Sequence, residues 1–339
     1  MEPPKQRKKT DRVTIREVAD DAGVSVAAVS KVMREAYGVS ESLRAKVRAS
    51  IEKLNYRPLT SARGMRGRTY TLGLILPDIR NPFFSDIIAG AHTALERTQY
   101  QVLLGVSHEE ALVDRMIDRQ MDGLILIGTI ESAKRLETIA REKPLVTIGH
   151  HAANNTLFDT VNDDDQLGAE LVVRHLITNG YRDIAMLSLA STTSSIIAER
   201  ELGYRRAMIE QGVGRSINIV RSAQTMREVQ LAARRLFEGP QKPEAIFCWT
   251  DFIALEVISV ATELGLRIPE DMAIVGYDNT MFCDFAQNSL TSVDQSGEML
   301  GLQAVRLLIE RIRGREEAEH FVVKPRVVAR NSSRKRIAG

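Results

Sequence analysis

The chain has 339 residues, 44% hydrophobic and 27% charged, with a formal net charge of +2 at pH 7. That length exceeds the roughly 250–300 residues one hydrophobic core can hold, and the composition excludes a disordered or fibrous protein; two cysteines, Cys248 and Cys283, are too few for a disulfide framework or a thiolate metal site. No apolar run approaches the roughly 20 residues of a membrane span, and the basic Met1–Lys9 stretch is followed by no apolar region, so neither membrane nor export is predicted and the cytoplasm is the expected compartment.

The near-neutral total hides an asymmetry. Residues 1–68 hold sixteen Lys/Arg against eight Asp/Glu, while residues 69–339 hold thirty against thirty-six. A basic head on a mildly acidic body is the footprint of a module that meets phosphate, attached to one that does not. Within the head, Thr14 and Glu17 form a capping box that starts a helix at Ile15. Ile15, Val18, Ala19 and Ala22 mark its apolar face, and Gly23 supplies the left-handed residue that ends it. Ser25 caps a second helix, in which Val29 and Val32 point inward and Val26, Ala27, Ser30, Lys31 and Arg34 outward. A helical hairpin of the core would share this punctuation; the local charge favours a helix-turn-helix whose second helix enters the DNA major groove. Ser40 then caps a third helix, whose Leu43, Val47, Ile51 and Leu54 close a small core and leave Arg44, Lys46, Arg48 and Lys53 outside.

The run TIREVADDAGVSVAAVSKVM, followed by VSESLRAKV and LNYRP, resembles the DNA-binding headpiece of the LacI/GalR family of bacterial repressors. The resemblance implies a basic tail (1–12), a helix-turn-helix domain (13–57), a hinge helix or linker (58–68) and an effector-binding and dimerisation domain (69–339). It implies that Val26, Ala27 and Lys31 are the main base readers. Val26 and Ala27 can offer only apolar contact, most naturally to a thymine methyl, and Lys31 can donate to guanine O6 and N7. Thr14, Ser25 and Ser30 are expected to position the protein on phosphates. In RPLTSARGMRGR, by the same resemblance, Arg63 accompanies Met65, which stands where the family inserts an apolar wedge into the minor groove.

From Thr71 the texture changes. The apolar runs TLGLILP, YQVLLGV, DGLILI and PLVTIG alternate with helical segments such as Asp86–Thr98, and a second set (RDIAMLSL, INIV, EAIFCW, DMAIVGY, LTSV) follows a break near Asn162–Gly168. This spacing predicts βαβ units on buried parallel sheets. The fold class expected is therefore an α/β, two-lobed, periplasmic-binding-protein-like core behind a small all-α helix-turn-helix domain. The first lobe should span about 69–163 and 297–328, the second about 164–296. A helix over Gly301–Arg313 and a strand over Phe321–Val328 should return to the first lobe. Between Val106 and Met121 the chain is about one helical turn shorter than the family pattern, at a helix bordering the family's dimer interface. No leucine heptad closes the chain, so a two-fold homodimer on a pseudo-palindromic operator is expected, not a tetramer.

A small ligand is expected in the cleft between the lobes. Asn81, Phe83 and Phe84, in DIRNPFF after the first strand, resemble the family loop lining the effector pocket; either phenylalanine could equally be core. Asp164 and Asp165 occupy the first crossing between lobes. Arg200, four residues before Tyr204, matches the family arginine that clamps effector oxygens. Trp249, Asp251 and Asp278 follow strand ends, where carboxylates accept paired hydroxyls, and Trp249 is a stacking platform or a packing residue. His150 also follows a strand end. The lining predicts a neutral carbohydrate-like effector, with a nucleobase or sugar acid as alternatives. The expected function is a sequence-specific repressor controlled by that effector. The other classes weighed are a solute-binding protein or a catalytic α/β protein with an incidental headpiece. GxGxxG, P-loop and GxSxG motifs are absent from the sequence, so no enzyme activity, cofactor or metal is predicted.

Overall fold

The computed structural model describes residues 13–33, 36–56, 68–107, 109–128, 131–151, 154–190, 194–223 and 225–334. The chain divides into two units, Met1–Thr69 and Tyr70–Gly339.

In the first unit, α1 (Ile15–Ala22) opens on the capping box: the Glu17 N–H donates to Thr14 Oγ1 at 3.4 Å, and the Thr14 N–H to Glu17 Oε2 at 2.7 Å. Gly23 ends it at φ 63°, in the left-handed region that costs a side-chain-bearing residue energy. The Ala28 N–H donates to Ser25 Oγ at 3.2 Å at the start of α2 (Val26–Met33), and Ser40 accepts from the Leu43 N–H at 3.4 Å before α3 (Glu41–Lys53). Val18, Ala19, Val29, Val32 and Val47 form the buried centre. Two expectations are corrected. Val26 is half-buried against this cluster, because the first turn of so short a helix lies over the core. Arg44 is half-buried too, donating to the Ala36 carbonyl at 3.3 Å.

The second unit runs β1 (Thr71–Leu76), α4 (Phe83–Leu95), β2 (Gln101–Val106), α5 (Glu110–Asp118), β3 (Gly123–Ile127), α6 (Ala133–Glu142), β4 (Leu145–Ile148) and β5 (Asp159–Asp163). It continues through α7 (Asp165–Thr178), β6 (Ile184–Leu189), α8 (Ser195–Glu210), β7 (Asn218–Ser222), α9 (Met226–Glu238), β8 (Ala245–Cys248), α10 (Asp251–Glu263), β9 (Ala273–Tyr277) and β10 (Thr291–Asp294). The chain then closes with α11 (Gly297–Ile312), β11 (His320–Val323) and β12 (Arg326–Val328). Among the described residues the strands form two six-stranded sheets, β2-β1-β3-β4-β5-β11 and β7-β6-β8-β9-β10-β12, parallel except for β12 against β10. The fully buried runs GLILI and AIVGY show why: strands covered by helices on both faces carry no polar alternation.

Three sequence expectations shift here. β5, DTVND, is a strand although its composition is polar. Asp159 is buried with Arg315 Nη2 at 2.7 Å, and Thr160 meets His320 Nδ1 at 2.9 Å. α4 and α11 begin at Phe83 and Gly297, earlier than expected. The single strand expected over Phe321–Val328 is two. Pro325, which lacks an N–H, separates β11 in the first sheet from β12, so residues 326–328 join the second lobe and not the first.

α11 returns to the first lobe and crosses α4 at glycines. A Cβ on Gly301 would stand 1.9 Å from the Ile87 carbonyl oxygen. Gly301→Ala is therefore expected to force the helices apart and cost about 1–3 kcal/mol of stability, read by thermal denaturation of the full chain. An unchanged melting temperature would contradict this packing.

Candidate DNA-reading surface and effector cavity

On the first unit, Thr14, Ser25, Ala27 and Lys31 are exposed, while Ser30 is half-buried like Val26. Ala27 and Lys31 stand one turn apart on the outer face of α2. The Lys31 ammonium makes no ion pair with any described residue, in contrast to Lys53, whose Nζ lies 2.6 Å from Asp21. Small outward side chains beside a cation unpaired among the described residues are what a major-groove helix needs. Arg34, Arg63 and Met65 lie outside the described residues.

The second unit holds a cavity of about 460 Å³ at the carboxyl ends of both sheets' strands. Asn81, Phe83 and Phe84 line it from the first lobe, and Arg200, Trp249 and Asp278 from the second. Phe83 is 8% exposed and both lines the cavity and packs in the first-lobe core; its ring centroid is 6.0 Å from that of the half-buried Phe84. Trp249 is likewise both core and wall.

Arg200 is 4% exposed. Its Nε donates to Asp165 Oδ1 at 2.6 Å and its Nη1 to the Trp249 carbonyl at 2.8 Å, and its guanidinium lies 3.5 Å from the Tyr277 ring centroid and 4.4 Å from that of Trp249. Burial opposes its charge, but Asp165, Tyr277, Asp163 and Asp278 outweigh that and push its pKa up. Asp278 accepts from Asn81 Nδ2 at 3.1 Å, across the cleft, and from Gln295 Nε2 at 2.6 Å. Burial first, and the neighbouring Asp251 second, hold its carboxyl well above the usual range against the pull of Arg200. Its backbone sits at φ 115°, a conformation that costs about 1–3 kcal/mol and tends to persist where function requires it.

Four predicted site residues are off the cavity wall. His150 is held through its backbone by Asn162, its N–H 3.0 Å from Oδ1 and its carbonyl 3.2 Å from Nδ2, and its ring lies against Phe158. Asp164 caps α7, accepting from the Leu167 N–H at 3.0 Å. Asp165 is spent on Arg200 and on His151 Nε2 at 2.8 Å; burial lowers the His151 pKa, but Asp165 together with Asp163 and Glu199 outweighs it and raises it. Asp251 is wholly buried and accepts from Ser292 Oγ at 2.5 Å, the Thr280 N–H at 2.7 Å and Cys283 Sγ at 3.1 Å, so it braces the second lobe from within. The wall has instead Asn162 and Asp163, just before the two aspartates singled out, together with Gln295, Met226 and Phe252. Gln295 follows a strand end as Asp278 does, and Asn162 and Asp163 close β5 beside the aspartates singled out, so that signal extends to all three; Met226 and Phe252 are given away by nothing in the local sequence. Among the described residues, no cluster of His, Cys, Asp or Glu is arranged to hold a metal ion, and no helix is long and apolar enough to cross a membrane.

A helix-turn-helix followed by a two-lobed α/β unit enclosing a cavity defines a DNA-binding transcriptional regulator. Residues 14–58 match the lacI family of bacterial regulatory proteins, and residues 173–333 a periplasmic binding protein-like domain. The HTH-type transcriptional repressor PurR of Photobacterium profundum is 30% identical over 328 residues, 94% of this chain and 98% of that protein. Catabolite control protein A of Priestia megaterium is 34% identical over 303 residues, 87% and 91% of the two chains. Among solved structures, the transcriptional regulator CelR in complex with cellobiose superposes with a TM-score of 0.69 at 27% identity, covering 95% of this chain and all of that one. The lac repressor dimer bound to operator and the anti-inducer ONPF superposes at 0.84 with 21% identity over 96% of this chain and all of that one, a likeness of fold. The chain belongs to the lacI family of bacterial regulatory proteins.

Proposed function

We propose that this protein is a sequence-specific transcriptional repressor, acting as a two-fold homodimer on a pseudo-palindromic operator, whose affinity for DNA is set by a small uncharged carbohydrate-like effector in the cavity. The observation that carries the effector class is the pairing of Arg200. Its charge is already met by Asp165 at 2.6 Å, so among the described residues of the wall no buried cation is left for an anion, while Asp278 and Asp163 present carboxyl groups and Phe84 and Trp249 present flat rings. The similarity to a regulator bound to cellobiose supports the same class.

Trp249 is the single tryptophan of the chain and stands on the cavity wall, so its emission reports occupancy. Titration with neutral mono- and disaccharides, including ribose and cellobiose, should give a saturable change. A response only to nucleobases or sugar acids would overturn the carbohydrate reading.

On the DNA side, Val26, Ala27 and Lys31 read bases, and Thr14, Ser25, Ser30 and Arg34 hold the backbone. Arg63 and Met65 meet the minor groove. Lys31→Ala should relax preference at one operator position by roughly 1–3 kcal/mol, read by competition among operator variants. An unaltered ranking would remove Lys31 from the reading helix.

A further inference from the structure

Asp163 ends β5 where the chain first passes between the lobes, and it stands on the cavity wall. It is 5% exposed, and its Oδ2 accepts from the Tyr277 hydroxyl at 2.6 Å, reaching from the end of β9 in the second lobe. The charged and titratable groups around it come from each element packed there: Asp165 from α7, Arg200 from α8, Tyr277 and Asp278 at the end of β9, and His151 after β4. Arg200 spends its Nε on Asp165 and stacks on Tyr277, so Asp163 gets its attraction without a hydrogen bond. Burial and the like charge of Asp165 push the Asp163 carboxyl up to about 7 against Arg200 and the tyrosine.

A carboxyl in that condition offers two opposite surfaces. Ionised, it only accepts hydrogen bonds; protonated, it also donates one. A polyol brings donors, whereas the ring nitrogens and carbonyl oxygens of a nucleobase are acceptors.

We infer that Asp163 is the specificity-determining carboxylate of the effector cavity, meeting a hydroxyl-donating ligand in its ionised form so that binding expels a proton to solvent. The inference rests on the carbohydrate reading above and adds a sign to it. Below neutral pH each ligand must displace a proton, so affinity falls, approaching tenfold per pH unit, and above it affinity levels off. A ligand that only accepts would bind more tightly on acidification.

The test is a Trp249 emission titration of the full chain with cellobiose, maltose, glucose and ribose between pH 5.5 and 8.5, with calorimetry at pH 6 in two buffers of different ionisation enthalpy. The expected result is weakening of the bound saccharide below pH 7 and release of a proton. Tyr277→Phe should move the midpoint to higher pH, because the lost donation had favoured the carboxylate, and Asp163→Asn should flatten the profile. Saccharide binding with a flat profile, a profile of opposite slope, or an unmoved midpoint in Tyr277→Phe overturns the role of Asp163 and leaves the carbohydrate reading standing. Should Asp163→Asn fail to fold, the Tyr277→Phe midpoint decides. Absence of saccharide binding at every pH overturns the carbohydrate reading and this inference with it.

Discussion

Arg200→Ala is expected to destabilise the two-lobed unit by about 3–5 kcal/mol, the usual consequence of removing one partner of a buried ion pair. Asp165, 1% exposed, would keep only His151 as a cationic neighbour at hydrogen-bond distance, and the Trp249 carbonyl would lose its donor. The space between the Tyr277 and Trp249 rings would also empty, adding the cost of lost packing. Thermal denaturation followed by circular dichroism should show a fall on the order of 10 °C. A shift within about 2 °C, less than 1 kcal/mol for a unit of this size, would mean that the guanidinium is not the internal counter-charge described above. Lysine is not expected to rescue, since a single ammonium cannot bond Asp165 and the Trp249 carbonyl while lying flat between two rings. The arginine that resembles an effector clamp is thus first a structural cation.

Asp278→Ala is expected to weaken effector binding about tenfold, since its carboxyl, which burial keeps in the protonated form, can exchange neutral hydrogen bonds worth roughly 0.5–1.5 kcal/mol each with ligand hydroxyls. The same carboxyl ties the cleft: Asn81 reaches it from the first-lobe loop and Gln295 from the second crossing. Its loss should therefore remove both a ligand acceptor and the polar contact that closing lobes share. Asp278→Asn should recover most of the affinity, because an amide, like a carboxyl kept protonated by burial, offers one carbonyl acceptor and a donor. Emission titration of both variants with the best saccharide reads this. Affinity of Asp278→Ala within about twofold of the parent, less than one neutral hydrogen bond is worth, would move the effector away from Asp278.

The headpiece was legible because its signals are local. Thr14, Glu17, Gly23, Ser25 and Ser40 each act on backbone groups within four residues, and the structure places each where its chemistry predicts. The apolar strands were legible because full burial on both faces writes itself as an uninterrupted run. β5 was not, because what permits its Asp159 and Thr160 to be buried is supplied by Arg315 and His320, more than 150 residues away in the chain. For the cavity, the loop after β1 that resembles the family's, with Asn81, Phe83 and Phe84, and the strand ends at Trp249 and Asp278 do lie on its wall. The misplacement among Asp163, Asp164 and Asp165 has a physical cause: three consecutive aspartates end a strand, cap a helix and begin it, and these positions face in different directions. Asp251 shows the complementary error. A carboxylate just past a strand end looks like a ligand acceptor until Thr280, Ser292 and Cys283 arrive from other elements to fill it.

The account turns on whether a cavity ligand sets the affinity of the headpiece for DNA. Fluorescence anisotropy of labelled genomic fragments should be measured against random-sequence competitor at physiological salt, with and without the saccharide that alters Trp249 emission. The account predicts at least one fragment bound in preference to competitor, and a change of about tenfold or more in that preference at saturating saccharide. No preferred fragment under either condition, or a preference that saturating ligand leaves untouched, would contradict it.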